Sequence, residues 1–343
     1  MLTPLARVIA VRTGDIDKPV GMKIHRRPTP LMGGVAVFAA FALACVLTIQ
    51  HSGPVIGVLV GGAVAVAVGI ADEFFDLSPG VHLLGQIVAA VAALLGGVRA
   101  ISSVSLPFAR LTAPGWHLPL AVGVVVTVIW LVGMMNTVNF LDGLDGLAPG
   151  IAAISALCLA GWAWEDQRFL VPVAPHHEDL LLPMALVGAL IGFLPFNWHP
   201  ARIFLGDSGS MFLGMALGTL SIVGPAKLAT ALLFLLIPVL DVAWAIVRRR
   251  LRGKSFLTGD KQHVYHRMLE LGMSHSSTVL LLYGICAALS VLDVLLYKQW
   301  KLLAFVVLAA ITASLFIYLE IRATRASQVT RVDGSRAPAA PQE

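Results

Sequence analysis

The stretch Asn139-Phe140-Leu141-Asp142-Gly143-Leu144-Asp145-Gly146 lies between two long apolar runs, residues 117–138 and 147–164. Each run is close to the roughly 20 apolar residues that a helix needs to cross a bilayer. An ionised carboxylate beside hydrocarbon costs about 2.5–3.5 kcal/mol on insertion scales, so such groups are rare there without a function. Read as continuous helix, Asn139, Asp142 and Asp145 recur at i, i+3 and i+6 on one face. That spacing predicts a shared polar client: a metal, a phosphate or a cation.

The same alternation of apolar runs and polar junctions extends in both directions. The chain of 343 residues is 58% hydrophobic and 13% charged, with a mean hydropathy of +0.86. Soluble domains carry about 25% charged residues, so the composition points to an all-α integral membrane protein. Spans are expected near 33–50, 54–71, 81–97, 117–138, 147–164, 180–196, 210–224, 227–247, 276–297 and 302–322, a polytopic bundle of about ten transmembrane helices. Residues 1–32 form an N-terminal loop, 33–322 the transmembrane domain, and 323–343, rich in Pro, Ala, Ser and Arg, a disordered tail. Residues 98–112 contain an alternating Val98-Arg99-Ala100-Ile101-Ser102-Ser103-Val104 pattern that predicts a short hairpin outside the bilayer. Cys45, Cys158 and Cys286 fall inside apolar spans without metal-ligand spacing and read as small core residues.

Ten spans divide the junctions into two sets. One set (1–32, 72–80, 139–146, 197–209, 248–275 and the tail from Arg322) holds eighteen Lys and Arg, and the other holds six. The positive-inside rule places the first set, with both chain ends, in the cytoplasm. Asp72, Glu73, Asp76, Asn139, Asp142, Asp145, Asp207, Asp260, His263 and His266 all fall in that set. One composite site on the cytoplasmic face explains this sorting. His176 and His177 fall in an outer Pro-rich loop and read as solvated.

Each cluster has a plain reading beside a chemical one. Asp207, in Phe204-Leu205-Gly206-Asp207-Ser208-Gly209-Ser210, could simply cap the next helix. Its flanking glycines, however, would let backbone approach a ligand closely, and a helix N-terminus suits phosphate. Adjacent Asp72 and Glu73 repel one another unless a cation sits nearby. Mg²⁺ fits, because it takes one or two carboxylates plus substrate phosphates. The basic runs Lys23-Ile24-His25-Arg26-Arg27-Pro28-Thr29-Pro30 and Arg248-Arg249-Arg250-Leu251-Arg252 serve topology and anionic lipid, and they also suit a polyanionic substrate. His263 and His266 beside Lys261 and Arg267 fit phosphate binding better than zinc, for want of a general-base Glu. Asp241 pairs with a neighbouring cation or belongs to the site.

Together these segments resemble the polyprenyl-phosphate N-acetylhexosamine-1-phosphate transferases, which include the undecaprenyl-phosphate GlcNAc-1-phosphate transferases and the phospho-MurNAc-pentapeptide translocases. The resemblance covers about residues 15–325, with five motifs in family order: Asp17-Lys18-Pro19 with Pro28-Thr29-Pro30 to Gly33-Gly34, Asp72-Glu73 to Leu77-Ser78-Pro79, Asn139 to Gly146, Phe204 to Gly214, and Asp260-Lys261 with His263 and His266. It implies transfer of a sugar-1-phosphate from a UDP-N-acetylhexosamine to a polyprenyl phosphate, releasing UMP, at the bacterial inner membrane with the site facing the cytoplasm. It also implies Mg²⁺, with Mn²⁺ as a substitute, held by Asp207 and Asn139. Asp142 and Asp145 would then belong to the nucleotide and metal pocket, and Asp72 and Glu73 to the catalytic acidic pair, with Asp72 orienting or deprotonating the lipid phosphate. His263 and His266 would hold phosphate oxygens, and Lys23, Thr29, Arg248, Arg249 and Arg252 would line the substrate site. Partners are the UDP-sugar, the lipid phosphate and membrane lipids, with no nucleic acid; a homodimer is compatible.

Four departures stand out: Glu73 where the acidic pair is usually Asp-Asp, His82 where a Lys is frequent, Tyr265 in place of the middle histidine, and no span before the first cytoplasmic loop. Met1 to Arg12 would reach only about 18 Å as helix, so a truncated or misassigned start, or a segment lying at the membrane surface, is expected. The basic run and spaced histidines favour the GlcNAc-1-phosphate branch over the MurNAc-pentapeptide one. A secondary transporter would carry carboxylates near the midplane, often in repeated halves, and neither feature is present. A CDP-alcohol phosphotransferase would need Ala-Arg after Asp142-Gly143, which is absent.

Overall fold

The computed structural model describes residues 2–17, 28–49, 52–104, 116–169, 177–223, 236, 239–241, 244, 264–296, 303–314 and 317–318. In chain order these form α1 (Leu2–Thr13), β1 (Ile16–Asp17), β2 (Thr29–Pro30), α2 (Gly33–Thr48), α3 (Gly53–Phe75), α4 (Pro79–Leu95), β3 (Ser103–Val104), β4 (Trp116–His117), α5 (Leu120–Leu141), α6 (Leu147–Phe169), α7 (His177–Asn197), α8 (Gly206–Val223), α9 (Val264–Glu270) and α10 (His275–Leu295). A further apolar helix, α11, covers Leu303–Ser314. The span expected at 227–247 and the tail lie almost wholly outside the described residues.

Five of these helices, α3, α5, α6, α7 and α10, are long and apolar enough to cross a bilayer. Their outward faces carry exposed Ile56, Ile129, Leu157, Ile191 and Leu295, side chains that a lipid solvent accommodates and water does not. The chain is an all-α multi-pass membrane protein.

The centre of the bundle is α8. Every residue from Ser208 to Ser221 is buried, and α8 packs most extensively on α3 and α5, with α2 on a third side. Such close packing requires small residues at the crossings. A side-chain carbon on Gly34 of α2 would overlap the Gly209 backbone nitrogen, and one on Gly69 of α3 would overlap the Ser208 backbone. These two glycines let the start of α8 sink between α2 and α3. The connection is sealed by backbone bonds from Gly33 N to Phe204 O (3.0 Å), Gly34 N to Leu205 O (2.8 Å) and Phe204 N to Pro30 O (2.8 Å). Outside this centre, α6 packs against α7 and α10, and α4 against α3.

Local signals account for the helix ends. Ser52 caps α3 by accepting from Val55 N, with Pro54 in the first turn, and α3 stops where Asp76 adopts a left-handed φ of 48°. Ser274 caps α10 by accepting from Ser277 N. The hairpin expected over 98–112 pairs further along the chain: Ser103 lies opposite His117 and Val104 opposite Trp116, and residues 105–115 lie outside the described set. The first segment, too short to cross, is the helix α1, with Thr3, Ala6 and Ala10 buried. It packs on α2, and Arg7 Nε donates to Arg202 O at 3.2 Å.

Two expectations about local structure need correction. Asp72 and Glu73 sit inside the last turn of α3 rather than in a loop. Asn139, Asp142 and Asp145 do not share a helical face, because α5 ends at Leu141 and Asp142 is its C-cap, at φ −79° and ψ 44°. The two glycines of Asp142-Gly143-Leu144-Asp145-Gly146 favour turning over continued helix, and Gly146 takes a positive φ of 82°.

Candidate active site

The C-terminal ends of α3 and α5 meet the N-terminal end of α8 at one end of the bundle. Asn139 Nδ2 donates to Asp207 Oδ1 at 2.6 Å and to Ser210 Oγ at 3.0 Å. Glu73 Oε1 accepts from Ser208 N at 3.0 Å and from Ser208 Oγ at 3.1 Å. A carboxylate at this place satisfies an otherwise orphan N–H of the first turn and complements the positive end of the helix. Glu73 therefore caps α8 and fixes the backbone that carries Asp207. The extra methylene that separates it from the usual Asp gives it the reach to do so. Gly206 is required beside it: its φ is 74°, and a side chain there would meet the Glu73 carboxylate.

Asp72, one residue earlier, points elsewhere. Its Oδ1 accepts from Leu77 N at 2.9 Å, and its Oδ2 lies 3.5 Å from His82 Nε2. His82 thus stands as a conditional cation beside Asp72. Next to Asp72 at the end of α3, Phe74 and Phe75 are exposed apolar side chains, 48% and 76% accessible.

Asp142 is held near Asp207, Asp145 and Glu73. Burial, reinforced by those charges, pushes its carboxyl well above the ordinary carboxylate range. Asp15, buried just before β1 and close enough to Glu73 to be felt electrostatically, is likewise raised by burial. Among the described residues, only the imidazoles His82 and His199 lie within ion-pair distance of Asp72, Glu73, Asp142, Asp145 or Asp207. The donor set, carboxylate oxygens with one side-chain amide, fits a hard divalent cation such as Mg²⁺.

Asp145 departs from this group. Its Oδ2 lies 2.7 Å from His199 Nδ1 and accepts from Ala201 N at 3.1 Å. The turn that carries it is fixed by Asn197, whose Oδ1 accepts from Gly146 N at 2.9 Å and whose Nδ2 donates to Ile203 O at 3.0 Å. Tyr283 donates to Gly146 O. Tyr265 of α9 is buried, and its hydroxyl lies against Gly143. Burial first, then Asp241 and Asp142, raises its phenol. The departure from histidine at 265 thus serves packing against this turn. Asp241 accepts from Val264 N at 3.1 Å and so anchors the start of α9.

Of the residues expected at the site, the structure gathers Asp72, Glu73, Asn139, Asp142 and Asp207. Thr29 is buried in β2, where Asp17 is its partner in the strand pair. His266 lies on α9 beside Tyr265, with ring centroids 4.5 Å apart. Lys23, Arg248, Arg249, Arg252 and His263 lie outside the described residues. Sequence reasoning missed Asp15, Asn197, His199 and His275; only the clustering of Asn197 and His199 just upstream of the Asp207 motif gave a signal.

Comparison with known proteins decides the family. Residues 55–225 match the family model described as glycosyl transferase family 4. The chain is 30% identical over 291 residues to the probable undecaprenyl-phosphate N-acetylglucosaminyl 1-phosphate transferase of Bacillus subtilis, covering 82% of this chain and 77% of that one. This chain belongs to glycosyl transferase family 4. Among other family members, it is 35% identical over 309 residues to the decaprenyl-phosphate N-acetylglucosaminephosphotransferase of Mycolicibacterium smegmatis, covering 82% and 75% of the two chains. It is 30% identical over 266 residues to the undecaprenyl-phosphate alpha-N-acetylglucosaminyl 1-phosphate transferase of Thermotoga maritima, covering 77% and 76%. The matched segment contains α5, α8 and all but the first two residues of α3, the three helices whose ends build the carboxylate cluster.

Proposed function

We propose that this protein transfers N-acetylhexosamine-1-phosphate, with GlcNAc-1-phosphate as the preferred group, from a UDP-sugar to a polyprenyl phosphate, with release of UMP. The observation that carries this reading is the convergence of Asp72, Glu73, Asn139, Asp142 and Asp207 at one end of the bundle. The relatives' names support the lipid acceptor and the sugar-phosphate group. The eighteen-to-six asymmetry of basic residues supports a cytoplasmic site in the bacterial inner membrane. Such a transfer would be the first membrane step in building a cell-envelope polysaccharide.

In this reaction an oxygen of the lipid phosphate forms a bond to the sugar-side phosphorus. The bond from that phosphorus to the bridging oxygen breaks, and UMP leaves with the oxygen and its electron pair. The lipid phosphate needs little help from a base, since a phosphate monoester with a second pKa of about 6 is mostly dianionic at cytoplasmic pH. Asp72 acts by orientation: its carboxylate lies beside His82, whose imidazole would donate to an oxygen of the lipid phosphate. Glu73 holds the first turn of α8 and thereby fixes Asp207. The Asp207 carboxylate, the Asn139 amide turned to present its oxygen, and Asp142 are the groups that would hold Mg²⁺, or Mn²⁺ in its place. When bound, the ion supplies the charge that neutralises the two phosphates during in-line displacement. Asp145 and the turn fixed by Asn197 bound the cluster on the side where the nucleotide would sit.

The test is an assay of the purified protein with undecaprenyl phosphate, Mg²⁺ and a panel of UDP-N-acetylhexosamines. UMP release with UDP-GlcNAc, abolished by chelation, is expected. Release only with UDP-MurNAc-pentapeptide would move the protein to the other branch, and release with no donor would refute the enzyme reading.

A further inference from the structure

Beside the carboxylate cluster, three segments distant in sequence bring together a second set of donors of different chemistry. Asp145 comes from the turn after α5, His199 from the connection between α7 and α8, and His275 from the first turn of α10. One ligand atom from each lies within 4.8 Å of the other two. His199 Nδ1 lies 2.7 Å from Asp145 Oδ2, and the two imidazoles stack with centroids 4.0 Å apart and planes 16° apart. His275 Nε2 faces the Asp145 carbonyl oxygen at 3.3 Å. Its Nδ1 is buried and, among the described residues, has no hydrogen-bond partner.

Hydrogen bonding within the protein leaves part of this arrangement unexplained. A buried ring nitrogen without a partner loses its hydration with nothing in return. If the proton of His275 rests on Nε2, facing a carbonyl, Nδ1 presents a lone pair. A ligating histidine commonly donates its other N–H to a backbone carbonyl in this way. The donor set is two imidazoles and one carboxylate, which suits borderline divalent ions such as Zn²⁺ or Co²⁺; Mg²⁺ prefers oxygen throughout. His199 is 42% accessible and Asp145 14%, so an ion has a route in.

We propose that Asp145, His199 and His275 form a site for a zinc-class divalent ion, distinct from the oxygen cluster around Asp207. Three protein ligands leave a fourth position for water or an exchangeable group. Binding separates the stacked rings by side-chain rotation and replaces the His199–Asp145 hydrogen bond by two bonds to the ion. The ion then ties the turn 142–146, the segment before α8 and the start of α10 to one another. The site does not depend on the sugar donor or the lipid acceptor proposed above, and its test reads metal binding rather than turnover.

The experiment uses the full chain in detergent, stripped with chelator and returned to excess Mg²⁺ with one equivalent of Co²⁺. The expected result is the intense visible absorption of four- or five-coordinate cobalt, displaced by Zn²⁺ and not by further Mg²⁺. His199→Gln and His275→Gln should each weaken cobalt binding at least tenfold. Only weak octahedral cobalt absorption in the wild type would overturn the proposal, as would uptake that both variants retain. Should either variant fail to fold, His199→Cys and His275→Cys decide the matter. Each should keep the ion and add a sulfur-to-cobalt charge-transfer band, and absence of that band would overturn the site. The native Cys45, Cys158 and Cys286 are buried elsewhere and contribute no such band.

Discussion

Glu73 offers the sharpest separation between a residue that reacts and one that positions. Its Oε1 accepts two hydrogen bonds from Ser208, at 3.0 and 3.1 Å, and Ser208 is fully buried. Glu73→Asp withdraws the carboxylate by one methylene, about 1.5 Å, which stretches both contacts beyond hydrogen-bond range. The Ser208 N–H is then buried without a partner, at about 1–3 kcal/mol. Glu73→Gln keeps an acceptor oxygen at the same reach and loses only the charge, a helix-end effect of about 0.3–1 kcal/mol, rising to about 2 when partly buried. The Asp variant should therefore be the more damaged, with a lower thermal midpoint in detergent and kcat reduced about 5- to 150-fold if the whole loss falls on the placement of Asp207. The Gln variant should keep most of its stability and activity. The assay is UMP release with saturating donor and lipid phosphate, alongside thermal unfolding. Inactive Glu73→Gln with near-normal Glu73→Asp would show that the carboxylate itself reacts or binds metal, and would refute the capping argument.

Asp207→Asn should abolish turnover while leaving thermal unfolding nearly unchanged, whereas retained turnover would remove Asp207 from the metal site. Gly34→Ala and Gly69→Ala each place a carbon against the backbone of α8; overpacking of this kind costs about 1–3 kcal/mol or more, visible as a lower midpoint and poorer yield from detergent extraction. Asn197→Ala leaves Gly146 N and Ile203 O without their partner and should raise KM for the UDP-sugar more than it lowers kcat; an unchanged KM would detach this turn from the nucleotide. Because Asp142 is raised in the folded protein, the native state keeps that proton at pH values where the unfolded chain, with a carboxyl near 3.9, has lost it. Stability of the metal-free protein should accordingly fall as pH rises from about 4 through the raised value. Divalent-ion affinity should rise over the same window with release of a proton, read by calorimetry in buffers of different ionisation enthalpy.

The apolar runs and their parity carried most of the architecture, because hydrocarbon leaves few alternatives to closed helices. Nine of the ten expected spans correspond to described helices, and Asp72, Glu73, Asn139, Asp142 and Asp207, from three of the polar junctions, lie at one end of the bundle. Finer geometry was beyond periodicity. The i, i+3, i+6 spacing of Asn139, Asp142 and Asp145 suggested a shared face, yet the turn after Leu141 sends Asp145 toward His199 and leaves Asn139 with Asp207. The pairing of Glu73 with Ser208 joins residues 135 positions apart, so no local pattern could show that Glu73 caps a helix. Gly34 stood out only as the end of the first motif and Gly69 not at all; the reason for both is the close approach of α8, which joins segments more than 100 residues apart.

Which bond of the donor breaks distinguishes sugar-phosphate transfer from transfer of the sugar alone. Purified protein given undecaprenyl phosphate and UDP-GlcNAc labelled with ³²P on either the uridine-side or the sugar-side phosphorus separates the alternatives. Sugar-phosphate transfer predicts the sugar-side label in the lipid product and the uridine-side label in released UMP. Both labels leaving together as UDP would mean transfer of the sugar alone, and would contradict the chemistry assigned to the Asp72, Asn139, Asp142 and Asp207 cluster.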